Sequence, residues 1–166
     1  TEARRVFLDE KDADFTFVRK INAPPTIVWT WANDPNKRNA CAATPLHWRP
    51  GDRPKGRTGV GARNHCAHGK GESTETLLDW RPFDYFTTES QGPSMKGVTM
   101  KHTYQFVPMD GGRALVSFML VNMFKMRDMM NNLARMAEDE YRMLSNEAIP
   151  AAPQTTMASQ HAHELN

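Results

Sequence analysis

The stretch MRDMMNNLARMAEDEYRMLSNEAI, residues 126–149, decides how the rest of the chain is read. Within it Met126, Met129, Met130, Leu133, Met136, Ala137, Tyr141 and Leu144 recur at steps of three and four, which lays one apolar stripe along a helix. Arg127, Asn131, Asn132, Arg135, Glu138, Asp139 and Arg142 fall on the other side. A helix of roughly 20–24 residues is about 30–35 Å long, and Pro150 forbids its continuation. Such a stripe must be buried against another element. Nearly everything before it reads as strands, so the pattern predicts a sheet folded about one C-terminal helix.

Working backwards, Arg113–Met123 and Thr99–Val107 are predicted strands, joined by the turn signal Pro108-Met109-Asp110-Gly111-Gly112. Arg81-Pro82-Phe83-Asp84 turns the chain into a strand over Tyr85–Ser90, with Arg81 pinned by Asp79 or Asp84. Val60–His68 and Glu72–Trp80 read as a hairpin about Gly69-Lys70-Gly71. Leu46–Trp48 is a brief strand before a Gly-, Pro- and Arg-rich loop over 50–59. Near the start, Phe15–Ile21 alternates as a strand. Short helices over Thr26–Ala32 and Asn36–Ala42 follow, opened by Pro24-Pro25 and separated by Asn33-Asp34-Pro35. Hairpins in succession force an antiparallel sheet, and one face of it needs a cover. The expected division is a charged leader over 1–13 with Val6, Phe7 and Leu8 as a docking strand, one domain over 14–149, and a disordered tail over 150–166.

Bulk properties exclude several functions. Twenty-one Lys and Arg against 19 Asp and Glu make no field that would attract nucleic acid or an anionic membrane. No apolar run reaches the roughly 18–20 residues of a membrane span, and Thr1–Lys11 lacks the apolar core of a signal peptide. Two cysteines, Cys41 and Cys66, make no disulfide framework, and a cytoplasmic setting with reduced thiols is expected. Six of the eleven methionines lie between Met123 and Met143. Met fills irregular apolar space, so this helix either packs a loosely specified core or lines a cavity.

Ile21-Asn22-Ala23-Pro24-Pro25-Thr26-Ile27-Val28-Trp29, then Asn33-Asp34-Pro35, Gly59-Val60-Gly61 entering a strand, and the Met-rich final helix resemble the helix-grip superfamily. That superfamily includes START domains, Bet v 1-like proteins and bacterial polyketide cyclase/dehydrase-like (SRPBCC) proteins, and the likeness runs from about Asp14 to Ile149. The resemblance implies an α+β fold in which a curved antiparallel sheet of about six to seven strands wraps the terminal helix. It also implies an apolar cavity between sheet and helix that holds lipids, polyketides or similar molecules. A minority of members are cyclases or dehydratases, and fold alone does not choose between binder and enzyme.

Two constellations carry chemistry within that frame. If Gly69-Lys70-Gly71 is the whole hairpin loop, Ala62, Asn64, Cys66 and His68 share a face with Thr74, Thr76, Leu78 and Trp80, and the less charged character of this face turns it toward the cavity. Arg63, His65 and Ala67 then lie opposite with Glu75, Leu77 and Asp79; a slip of one residue reverses the assignment. His102, Tyr104 and Phe106 alternate on one strand, beside Phe118, Leu120 and Asn122 on the next. Inward-facing, His102, Tyr104 and Asn122 place a few polar points in an apolar pocket, the usual anatomy of a small-molecule site.

The expected cavity lining is therefore Asn64, Cys66, Thr76, Leu78, Trp80, His102, Tyr104, Phe118, Asn122, Met126, Met130 and Leu133. A catalytic reading takes His102, Tyr104, His65 or His68 as acid and base. Cys66 reads as a small buried apolar residue rather than a nucleophile. Cys-x-His on a strand lacks the tight paired spacing of structural zinc sites, so neither metal nor cofactor is expected. Trp29, Trp31, Trp48 and Trp80 either ring the cavity mouth or pack the core, and Arg49, Arg53, Lys55, Arg57 and Arg63 read as a solvated loop. The first expectation is binding of a small hydrophobic ligand, ahead of a cyclase or dehydratase and of a regulatory protein-interaction module. The sequence leaves a homodimer open.

Overall fold

A computed structural model describes residues 7–8, 11, 13–14, 16–42, 46–68, 71–92, 99–109, 113–118 and 123–145; at 46, 68, 113–118 and 123–126 it describes the backbone alone. The order of elements is β1 (Phe17–Ile21), α1 (Pro25–Asn33), α2 (Pro35–Cys41), β2 (Leu46–Pro50), β3 (Arg63–His68), β4 (Gly71–Arg81), β5 (Tyr85–Gln91), β6 (Met100–Met109), β7 (Arg113–Phe118) and α3 (Met123–Ser145). The strands make one seven-stranded antiparallel sheet in the order β1-β7-β6-β5-β4-β3-β2. This is the helix-grip architecture: a curved meander whose inner face meets α3 and the two short helices. The tail from 150 onward and most of the leader lie outside the described residues.

Local chemistry explains the element boundaries. Asp34 does two jobs between α1 and α2. Its backbone N–H donates to the Thr30 carbonyl and closes α1 at 2.9 Å, and its carboxylate accepts from the Asn36 and Lys37 amides at 2.8 and 3.3 Å and opens α2. Gly61 enters β3 with φ +85°, a conformation that favours glycine, and its amide donates to the Leu77 carbonyl at 2.7 Å. In the β4–β5 turn Arg81 pairs with Asp84 at 3.4 Å, whereas Asp79 accepts from the Tyr85 hydroxyl at 3.0 Å.

Met129, Met130, Leu133, Ala134 and Ala137 of α3 are buried against Ile21, Val28, Trp29, Phe86, Tyr104 and Phe106. The expected stripe ends at the half-buried Tyr141. Leu144, expected on that stripe, is 70 % exposed, and Met143 is 79 % exposed, because the last turn of the helix outruns the core. Glu138, expected on the polar side, is buried because its carboxylate accepts from the Asn22 amide at 2.9 Å. Trp31 Nε1 and Lys37 Nζ both reach Glu140, which ties the short helices to α3. On the outer face, Phe7 meets Tyr85 edge-on at 5.0 Å and the Leu8 amide donates to Thr103 Oγ1 at 2.9 Å, so this part of the leader covers Thr87 and Thr103. Phe7 and Leu8 are not strand-paired, and Val6 lies outside the described residues.

Candidate functional site

The register of the β3–β4 hairpin determines what the inner face presents. His68 pairs with Gly71, Cys66 with Ser73, Asn64 with Glu75 and Arg63 with Thr76. The connection is one residue shorter than expected, and the facing of β4 is reversed. Ser73, Glu75 and Leu77 point inward and are buried; Thr76 and Leu78, expected in the lining, fall on the opposite side. The register then shifts between Leu77 and Asp79, which returns Trp80 to the inner side beside Phe86.

Glu75 therefore sits among buried groups, and α2 supplies its counterion. Arg38 and Cys41, three residues apart, share the buried side of that helix. The Arg38 guanidinium donates twice to the Glu75 carboxylate, Nη1 to Oε1 at 2.7 Å and Nη2 to Oε2 at 3.2 Å, with 3 % and 2 % of the two residues exposed. Trp48 lies over the guanidinium at 3.7 Å from its ring centre, and Asn39 fixes the Trp48 backbone by accepting from its amide and donating to its carbonyl. Asn64 Nδ2 donates to Glu75 Oε1 at 3.0 Å, and Arg53 from the loop donates to Asn64 Oδ1 at 2.6 Å. A continuous polar chain thus runs from the surface loop into the sheet.

Beside this chain lies a row of inner-face residues, Leu77 opposite Thr88 and Thr88 opposite His102. His102 is 5 % exposed and Thr88 is fully buried. Neither ring nitrogen of His102 nor the Thr88 hydroxyl has a hydrogen-bond partner among the described residues. Tyr104 is buried one inner position further along β6, stacked on Phe86 at 4.4 Å. Trp29 packs edge-on against Trp80, Phe86 and Phe106 at 4.9–5.4 Å, and Met130 and Leu133 of α3 extend the apolar wall.

Burial and the ion pair set the charges. Burial works against the Arg38 cation, but the charge and hydrogen bonds of Glu75, with Tyr104 and Cys66 adding to them, together hold the guanidinium pKa above its ordinary value. Burial likewise opposes the Glu75 anion, yet Arg38 and the Asn64 bond hold its pKa below the usual carboxylate range. Burial, with Arg38 adding to it, pushes His102 down to about 4 against a smaller opposing pull from Glu75. Burial pushes Tyr104 up to about 12. At neutral pH the Arg38–Glu75 pair is therefore ionised and compensated, while the His102 imidazole and the Tyr104 phenol are neutral.

Of the other residues singled out by sequence, Asn64, Cys66, Trp80, His102, Tyr104, Met130 and Leu133 come together on the inner side. His65 does not: it lies on the outer face with Nδ1 2.9 Å from Glu72 Oε1, across the sheet from His102 and Tyr104. Asn122 and the side chains of His68, Phe118 and Met126 lie outside the described residues. Cys66 is fully buried, and burial raises its thiol to about 12. Among the described residues no three His, Cys, Asp or Glu side chains converge as a metal site. Sequence reasoning missed Arg38, Glu75 and Thr88. The available signals were a lone Arg three residues before Cys41 on a short helix, and a Glu alternating with Leu77.

The fold and the buried inner-face site define a helix-grip protein of the SRPBCC type. The chain belongs to the polyketide cyclase / dehydrase and lipid transport family, whose model matches residues 12–143. Its fold is similar to protein CV1439 from Chromobacterium violaceum (15 % identity, TM-score 0.59, 74 % of this chain and 95 % of that one). It is also similar to NE0264 from Nitrosomonas europaea (14 %, 0.56, 80 % and 97 %). A third likeness is DynU16, a protein in the dynemicin biosynthetic locus (16 %, 0.52), where 77 % of this chain spans 48 % of the longer one. No curated protein sequence matches the chain significantly. Among the described residues, no helix is long and apolar enough to cross a membrane.

Proposed function

We propose that this protein binds a small hydrophobic or amphipathic ligand, lipid-like or polyketide-like, between the inner face of the sheet and α3. The observation that carries the reading is His102: a buried imidazole, both nitrogens without a partner among the described residues, beside an equally buried Thr88 hydroxyl and an aromatic and Met wall. Buried polar groups are normally hydrogen-bonded, and leaving one unmade costs about 1–3 kcal/mol. A ligand with an apolar body and a polar point fits both the wall and the gap. The two buried thiols support a reducing, cytoplasmic setting for it.

A cyclase or dehydratase with His102 and Tyr104 as acid and base is the second reading, favoured by their ring separation of 6.4 Å. Their ionisation argues for the binder. General acid–base catalysis works best with groups poised near neutrality, and burial displaces His102 to about 4 and Tyr104 to about 12. The test is native mass spectrometry of the purified chain with organic extraction, followed by titration with the neutral fluorophore N-phenyl-1-naphthylamine. A retained apolar molecule, or saturable uptake of the fluorophore at one site, is expected. Absence of both refutes the binding reading.

A further inference from the structure

We infer that the polar anchor of the ligand is a neutral hydroxyl, held by the His102 imidazole and the Thr88 hydroxyl, and that the site discriminates against carboxylate-bearing ligands. The inference rests on the binding reading above and adds the chemical class of the ligand's polar end. His102 and Thr88 are cross-strand partners with side chains on the same face, so one small group can address both. A neutral imidazole offers one donor and one acceptor, and a hydroxyl offers and accepts in the same way. An alcohol or phenol therefore satisfies the pair from a single oxygen.

The neighbouring charges argue against an anion. Both Arg38 Nη atoms are already committed to Glu75, and Trp48 covers the guanidinium. The pair is electrically complete, and both of its ends are felt at His102, the Glu75 end more strongly than Arg38. A ligand carboxylate entering here would leave water without gaining a free cation and would sit near a second carboxylate, which is the costly way to bury a charge. A ligand ammonium meets the converse problem, since Glu75 is fully compensated by Arg38 and Asn64.

The experiment displaces N-phenyl-1-naphthylamine from the full chain at pH 7.5 with three matched probes: 2-naphthol, 2-naphthoate and naphthalene. We expect 2-naphthol to act at about tenfold lower concentration than either of the others, the effect of one net hydrogen bond in a buried site. Thr88→Val and His102→Phe should each weaken 2-naphthol and leave naphthalene unchanged, a selective loss that a general packing defect does not produce. Thr88→Val carries the test alone if His102→Phe does not fold. Equal or tighter binding of 2-naphthoate, 2-naphthol no better than naphthalene, or failure of all three to displace a bound fluorophore overturns the anchor while the binding reading stands. If the fluorophore itself is not taken up, the binding reading falls and the anchor with it.

Discussion

Acidification between pH 7 and 5 should destabilise this protein through His102. The imidazole is 5 % exposed, and its pKa falls from an ordinary 6.5 to about 4 in the folded chain. Between those values the unfolded chain takes up a proton that the folded chain refuses, so stability is retained above the unfolded pKa and declines as pH falls toward the folded one. At about 1.4 kcal/mol per pH unit the whole interval is worth about 3 kcal/mol, of which about 2 kcal/mol is lost between pH 7 and 5. Burial is the main cause; Arg38 lies on the same side of the balance and Glu75 on the other. The assay is urea unfolding followed by tryptophan fluorescence, at both pH values, for the wild type and for His102→Gln. Glutamine does not titrate, and carboxylate contributions common to both chains cancel in the comparison. The loss on acidification should be smaller in His102→Gln by about 2 kcal/mol. An equal loss in the two chains would refute the reasoning, as would an imidazole NMR signal from His102 that titrates near pH 6.5.

Further outcomes follow from the same packing. Arg38→Met and Glu75→Leu each strand a buried charge and should cost about 3–5 kcal/mol in urea unfolding, while the double substitution should recover most of that loss; single and double variants of equal stability would count against the pair. Cys41 and Cys66 are raised by burial to about 11 and about 12, so Ellman's reagent at pH 8 should react with neither in the native protein and with both in urea. Rapid labelling of either in native buffer would contradict their placement. Met130→Trp should abolish fluorophore uptake with a stability change under about 1 kcal/mol if Met130 borders ligand space; a loss of about 1–3 kcal/mol with uptake unchanged would indicate an already filled core.

The parts of the fold legible in the sequence are those written in local chemistry. The period of three and four marks α3, the Asp34-Pro35 step separates two helices because one carboxylate serves the second while its own amide closes the first, and the Arg81–Asp84 turn is visible as such. The inward face of β6 was legible, since His102, Tyr104 and Phe106 alternate cleanly and all three are buried. It was not legible on β4. Ser73, Glu75 and Leu77 form one alternating set and Thr74, Thr76 and Leu78 the other, with one Leu in each, so hydrophobicity alone does not choose between them. Preferring the uncharged set inward gave the wrong face. What holds Glu75 inside is Arg38, 37 residues earlier and on a helix, and no local pattern reports a counterion at that distance. The irregularity after Leu77 hides the same way, since it restores Trp80 to the inner face by breaking the alternation a reader counts on.

That buried pair supplies a direct way to separate its structural role from its effect on the ligand. A buried ion pair is weak support for stability, since a well-packed apolar pair often does as well. Its presence at the edge of the His102–Thr88 row is better explained if its completeness matters to what binds. Glu75→Gln tests this, because it keeps the shape and the acceptor for Asn64 but removes the charge that occupies Arg38. The guanidinium is then an uncompensated buried cation, and the variant should be less stable than the wild type. A ligand carboxylate now becomes the missing counterion. In Glu75→Gln, 2-naphthoate should bind more tightly than 2-naphthol, reversing the wild-type preference, and should raise the melting temperature in proportion to the logarithm of its concentration. Unchanged weak binding of 2-naphthoate in a folded Glu75→Gln would mean that Arg38 is sealed from the ligand by Trp48, and that the selectivity assigned to the pair has another source.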